Sequence, residues 1–102
     1  MQHTVEITVD KDGKFSYDKP LVRVHRGDKL VWECTNECPF AIHVGWNSPL
    51  DKGRYRSKGK NSIEATVRED AQYGYYFYTV AATINGATWT DDPPFIVKPP
   101  GS

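Results

Sequence analysis

Two cysteines, Cys34 and Cys38, stand with three residues between them in the segment WECTNECPF. Thiols so close in sequence can close a short disulfide loop or hold a soft metal. No second cysteine pair exists to complete a four-ligand set, so a structural zinc site is not expected. A disulfide and two free thiols both remain open, with Cys34 on an inward parity and Cys38 in a more accessible turn before Pro39. His43 follows closely, and an imidazole with two thiols would make a copper-handling or redox set. Met1-Gln2-His3 has the form of an amino-terminal copper or nickel motif, which any chain with histidine at its third position shares. His25 and Arg23 share the outer side of one strand and read as a solvated pair.

A second group points to binding. Trp46 precedes a stretch in which Lys52, Arg54, Arg56, Lys58 and Lys60 surround Tyr55. Such a stretch suits an anionic polymer or a carbohydrate, with an aromatic ring to stack on it. It equally suits a solvated loop balanced by Glu64, Glu69, Asp70, Asp91 and Asp92. Ligand contact is expected at Trp46, Arg54, Tyr55 and Arg56. Catalysis finds little support: Ser48, Ser57 and Ser62 are loop serines without a placed base, and no paired-carboxylate or glycine-rich phosphate pattern occurs. Asp91-Asp92 before Pro93-Pro94 reads as a turn whose side chains bond local amides. No enzyme is expected.

The elements that position these residues are strands. The chain has 102 residues, with 13 basic and 13 acidic side chains, so no net field steers a partner and nucleic acid is not expected. At this length one domain with one modest core is expected, working as a monomer. The aromatic fraction of 13% suits a β core and argues against disorder. No apolar run approaches the ~20 residues of a membrane-spanning helix, and no signal pattern opens the chain. A removed signal is compatible with this, and the weak lean is to an exported or periplasmic protein.

Val5, Ile7 and Val9 alternate with polar residues in a first strand over residues 4–10. Phe15 and Tyr17, then 21–25, then Leu30, Trp32 and Cys34 continue the pattern. Phe40, Ile42, Val44 and Trp46 form another inward series, with His43 on the outward parity. Residues 47–61 read as one long loop, followed by Ile63, Ala65 and Val67. The organising stretch is Gly74-Tyr75-Tyr76-Phe77-Tyr78-Thr79-Val80, whose uncharged β-branched and aromatic run predicts a central strand packed on both faces. Asn85-Gly86 supplies the positive-φ pair of a type I′ hairpin. Counting outward pairs Ile84 with Ala87, Ala82 with Trp89 and Val80 with Asp91. The prolines delay the last strand to Phe95. The whole predicts an all-β Greek-key sandwich of about seven or eight strands, burying Trp32, Phe40, Ile42, Tyr76, Tyr78 and Val80.

Four features carry a resemblance over residues 4–98: the Pro20 entry to LVRVHRGDKLVW, the segment TNECPF at a strand start, GYYFYTV, and the closing FIV. In this order they resemble the cupredoxins, small Greek-key sandwiches that hold one copper at one pole. The resemblance implies a first histidine ligand at the position of Phe40 and a thiolate ligand at that of Val80. A second histidine and an axial methionine would follow, but residues 81–89 contain neither, and the only methionine is Met1. Shifting the alignment to make His43 the ligand would expose Phe40, Ile42 and Val44, which burial opposes by about several kcal/mol. The chain thus resembles bacterial cupredoxin-like domains without copper ligands. The expected function is a metal-free, cofactor-free binding or structural module. The alternatives are a copper or redox protein using Cys34, Cys38 and His43, and a carbohydrate or anionic-polymer binder using residues 46–60.

Overall fold

The computed structural model of the chain describes residues 1–57 and 62–101. Lys58 and Lys60 of the basic stretch lie outside the described residues. Among the described residues there are 11 strands: β1 (Gln2–Val9), β2 (Phe15–Tyr17), β3 (Val22–Val24), β4 (Lys29–Cys34), β5 (Phe40–His43), β6 (Arg54–Arg56), β7 (Ser62–Thr66), β8 (Gly74–Phe77), β9 (Thr79–Ile84), β10 (Ala87–Asp91) and β11 (Pro94–Val97). No helix occurs among the described residues. One sheet has the order β2-β1-β4-β7, a second β10-β9-β5-β6, and a third β3-β11-β8. Together they form a β-sandwich around one core.

The alternation seen in the sequence explains the first sheet. Val5, Ile7 and Val9 of β1 are buried while Glu6 is exposed. The strand lies parallel to β4, which places Val5 beside Trp32 and Ile7 beside Cys34. On the other side of β4, Ile63 and Ala65 of β7 face Trp32 and Leu30. Trp32 is wholly buried between the rings of Tyr55 and Tyr78, at centroid distances of 6.2 and 5.2 Å. Phe40, Ile42, Tyr78 and Val80 are buried as expected, and Tyr76 is half-buried against Phe95.

The hairpin has the expected register, with Ile84 opposite Ala87, Ala82 opposite Trp89 and Val80 opposite Asp91. Asn85 and Gly86 take φ of 52° and 80°, the left-handed values that a type I′ turn demands.

Several expectations need correction. The organising stretch is two strands, since β8 pairs with β11 and β9 with β5 and β10. Tyr78 joins them, its amide donating instead to the carbonyl of Pro93 at 3.1 Å. Nor is β8 packed on both faces: Tyr75 and Phe77 point outward and stand exposed. The strand count exceeds the expected number through this division and through β6, a short strand within the supposed loop 47–61. Three residues with two charges give too little alternation to stand out as a strand. Trp46 does not continue the inward series. Val44 and Gly45 both donate to the Gly53 carbonyl, at 2.7 and 3.1 Å, and Gly45 turns to φ 114°, which breaks the parity. Asp91 and Asp92 bond hydroxyls rather than local amides, accepting from Tyr17 at 2.7 Å and Thr79 at 2.8 Å.

Candidate functional site

The positions where the resemblance implies copper ligands lie at the start of β5 and near the start of β9. Phe40 pairs with Ala82, and Ile42 with Val80. Phe40 is 3% exposed and Val80 is closed to solvent. Strand β9 continues past Val80 to Ile84 and turns into β10, so regular hairpin follows where a metal-wrapping loop would be needed. A phenyl ring and an isopropyl group offer a metal no donor atom, so the residues present do not fit type 1 copper.

The other potential ligands do not converge. His43 lies outward on β5, between Arg54 of β6 and Thr79 of β9, and is exposed. His3 sits in the ladder between β1 and β4, and its Nε2 lies 2.8 Å from Asp28 Oδ2. Its imidazole is therefore engaged by Asp28. Among the described residues, no three His, Cys, Asp or Glu side chains form a metal-binding group.

Cys34 and Cys38 do meet, with their sulfur atoms 2.7 Å apart and no bridge between them. Both are buried, which corrects the expectation that Cys38 is accessible. The reason is a turn in which Glu37 takes φ 55° and donates its amide to the Cys34 carbonyl at 3.1 Å, folding Cys38 back under the sheet. Burial pushes the Cys38 thiol up to about 12, and the neighbouring Cys34 adds to this. A thiol held neutral in this way is a poor nucleophile and a poor metal ligand.

The expected binding residues fall into two places. Arg54 and Arg56 are exposed on β6, opposite His43 and Ala41, and form no ion pair among the described residues. Tyr55 between them turns inward. Its ring packs on Trp32, and its hydroxyl donates to Asp51 Oδ1 at 2.6 Å and accepts from the Lys52 amide at 2.9 Å. Burial, then the Asp51 carboxylate, raises the Tyr55 phenol above its ordinary value. Tyr55 therefore fastens the chain, with its ring half-buried against Trp32.

Trp46 is 98% exposed and stands at a cleft of about 440 Å³. The cleft is also lined by Asn47, Arg68, Asp70, Gln72 and Tyr76, above a floor that includes Pro49 and Ala71. Arg68 grips Asp70 with two bonds of 2.9 Å, from Nε and Nη2 to the two carboxylate oxygens. The Arg68 guanidinium accordingly holds the exposed Asp70 carboxyl below its usual value. The Tyr76 hydroxyl donates to the Gln72 carbonyl at 2.7 Å. Sequence reading missed Arg68, Asp70, Gln72 and Tyr76. Tyr76 reads as a buried residue of the central strand, and nothing local says that the residues before it return beside Trp46.

Solved structures with this arrangement of strands exist. A pseudoazurin from Sinorhizobium meliltoi is 15% identical, with a TM-score of 0.55 over 99% of this chain and 77% of that one. An amicyanin variant in its Cu(I) form is 15% identical, with a TM-score of 0.54 over 93% of this chain and 82% of that one. A second, reduced amicyanin variant is 16% identical over the same shares, with a TM-score of 0.53. The fold is cupredoxin-like. No protein-family model matches the sequence, and no curated protein does.

Proposed function

We propose that this chain is a non-catalytic binding module that keeps the cupredoxin sandwich without type 1 copper. The supporting observation is the pair Phe40 and Val80, buried side chains without donor atoms at the two positions where the resemblance implies copper ligands. Copper-based electron transfer through Cys34, Cys38 and His43 has less support, because the thiols are buried and His43 points outward. Binding is read at the surface from Trp46 to Arg56, with Trp46 at its cleft and Arg54 and Arg56 beside it in the chain. Tyr55 supports that surface from beneath. A nucleic-acid ligand fits poorly, since the net charge is zero and the Tyr55 ring is turned inward. The reading also takes the chain as a monomer and keeps the lean to an exported or periplasmic protein.

The test is copper addition. Mixed with Cu(II), the protein should show no intense thiolate charge-transfer absorption. A band that appears, and persists after removal of Met1, Gln2 and His3, would show that a thiolate site forms and would overturn the reading.

A further inference from the structure

An indole open to water on nearly its whole surface is rare in a folded domain, because aromatic side chains are large and supply much of the burial energy. Here the backbone is built to produce it. Continuing the alternation of Phe40, Ile42 and Val44 would have turned Trp46 inward. Instead the chain bulges at Gly45, whose φ of 114° suits glycine, and closes against Gly53. A side chain at Gly53 would begin 2.8 Å from the Gly45 carbonyl oxygen, so this second position also admits only glycine without displacement. Two glycines thus hold the bulge that keeps Trp46 out of the core and beside the cleft.

The walls of the cleft say what the indole would meet. Asn47 and Gln72 are exposed and carry planar amides able to donate and accept at once. Arg68 and Asp70 sit at the rim as a neutralised, bidentate pair, so the cleft carries no unpaired cation among the described residues. The apolar floor at Pro49 and Ala71 is small. This combination does not match an apolar peptide, which needs wide greasy contact, nor an acidic polymer, which needs free positive charge. It does match a sugar ring, whose C–H face stacks on an aromatic plane while its hydroxyls pair with amides, guanidinium and carboxylate. The volume of about 440 Å³ lies within the ~300–1,000 Å³ common for small-ligand sites.

We propose that the cleft beside Trp46 binds a neutral glycan, with the sugar stacked on the indole and its hydroxyls held by Asn47, Gln72 and the Arg68–Asp70 pair. The assignment rests on the reading of the chain as a binding module and names the ligand class for its exposed tryptophan.

The experiment is titration of the full chain with cellohexaose, xylohexaose and chitohexaose, with an oligogalacturonate as the acidic contrast. Tryptophan fluorescence is the readout for the parent chain, since Trp46 is the most exposed of the three indoles, and titration calorimetry reads the variants, including those that lack this indole. At least one neutral oligomer should shift the emission and saturate. Trp46→Ala should weaken that binding at least tenfold with the melting temperature unchanged, whereas Trp46→Tyr should retain much of it. Asn47→Ala and Gln72→Ala should each weaken it several-fold. Saturation by none of the neutral oligomers at millimolar concentrations, by oligogalacturonate alone, or undiminished binding by Trp46→Ala would each overturn the proposal. Such a failure would leave the copper spectrum unaffected, so the loss of this assignment and the loss of the module reading are told apart.

Discussion

At the residue scale, Tyr55 shows why a charged stretch cannot be judged by composition. Its neighbours Arg54 and Arg56 point to solvent, while its ring closes one side of the Trp32 pocket and its hydroxyl bonds Asp51 and the Lys52 amide. Replacing either arginine by alanine should change stability by no more than about 0.5 kcal/mol. Tyr55→Ala should cost about 1–3 kcal/mol, from lost packing and an Asp51 carboxylate left without its donor. Chemical denaturation of the three single variants checks this, and equal midpoints for all three would contradict the inward placement. The cysteines give a second prediction at this scale. Because both sulfurs are buried, native protein should alkylate slowly at both sites and rapidly once unfolded. Exchange with a small disulfide should close the pair, two thiols losing two protons and two electrons while the reagent is reduced to thiols. The mass should fall by the hydrogens lost, and the gain in stability should stay near or below about 2 kcal/mol because the loop is short.

At the element scale, the β9–β10 hairpin is held by more than its own turn. The indole of Trp89 lies over Gly13 in the β1–β2 connection, so closely that a Cβ at Gly13 would stand 2.2 Å from the ring. The Tyr17 hydroxyl of β2 adds a second tie to Asp91 at the end of β10. Gly13→Ala should therefore destabilise by about 1–3 kcal/mol, combining the clash with a left-handed backbone at φ 82°. In a Trp89→Ala background the same change should cost less, since only the backbone strain remains. Additive costs in that double-mutant cycle would argue against the contact. This hairpin was legible in the sequence down to its register, because Asn85-Gly86 and the alternation beside it are local signals. Phe40 and Val80 were legible as buried strand positions for the same reason. The outward turn at Trp46, the short strand β6 and the cleft were not legible. They depend on Gly53 meeting Gly45, and on residues 68–76 returning beside residue 46, contacts made only by the folded chain. Cys38 likewise read as exposed because its burial depends on the left-handed Glu37 that precedes it.

At the scale of the whole molecule, carboxylates fasten joints between elements and set the response to acid. Asp28 accepts from the His25 amide at 2.9 Å and meets His3 at 2.8 Å, tying β1 to the turn between β3 and β4. Burial would raise its carboxyl, but the His25 amide, His3 and the terminal ammonium outweigh this and leave it below the ordinary value. Asp51 behaves alike: burial is outweighed by the Tyr55 hydroxyl and the Thr66 amide, which join the segment before β6 to β7. A carboxyl held lower in the folded than in the unfolded chain means that the unfolded chain binds more protons in acid. Its contribution is thus present above the unfolded value, about 3.9 for aspartate, and is lost as the pH falls from there through the lower folded value. The melting temperature should accordingly be nearly level toward neutrality and fall once the pH drops below about 4. Asp28→Asn and Asp51→Asn should each be less stable at neutral pH and show a shallower acid fall, because the linked proton is gone. If both variants lose stability in acid as steeply as the parent chain, these two carboxylates do not set its acid limit, and the joints they make are held by packing alone.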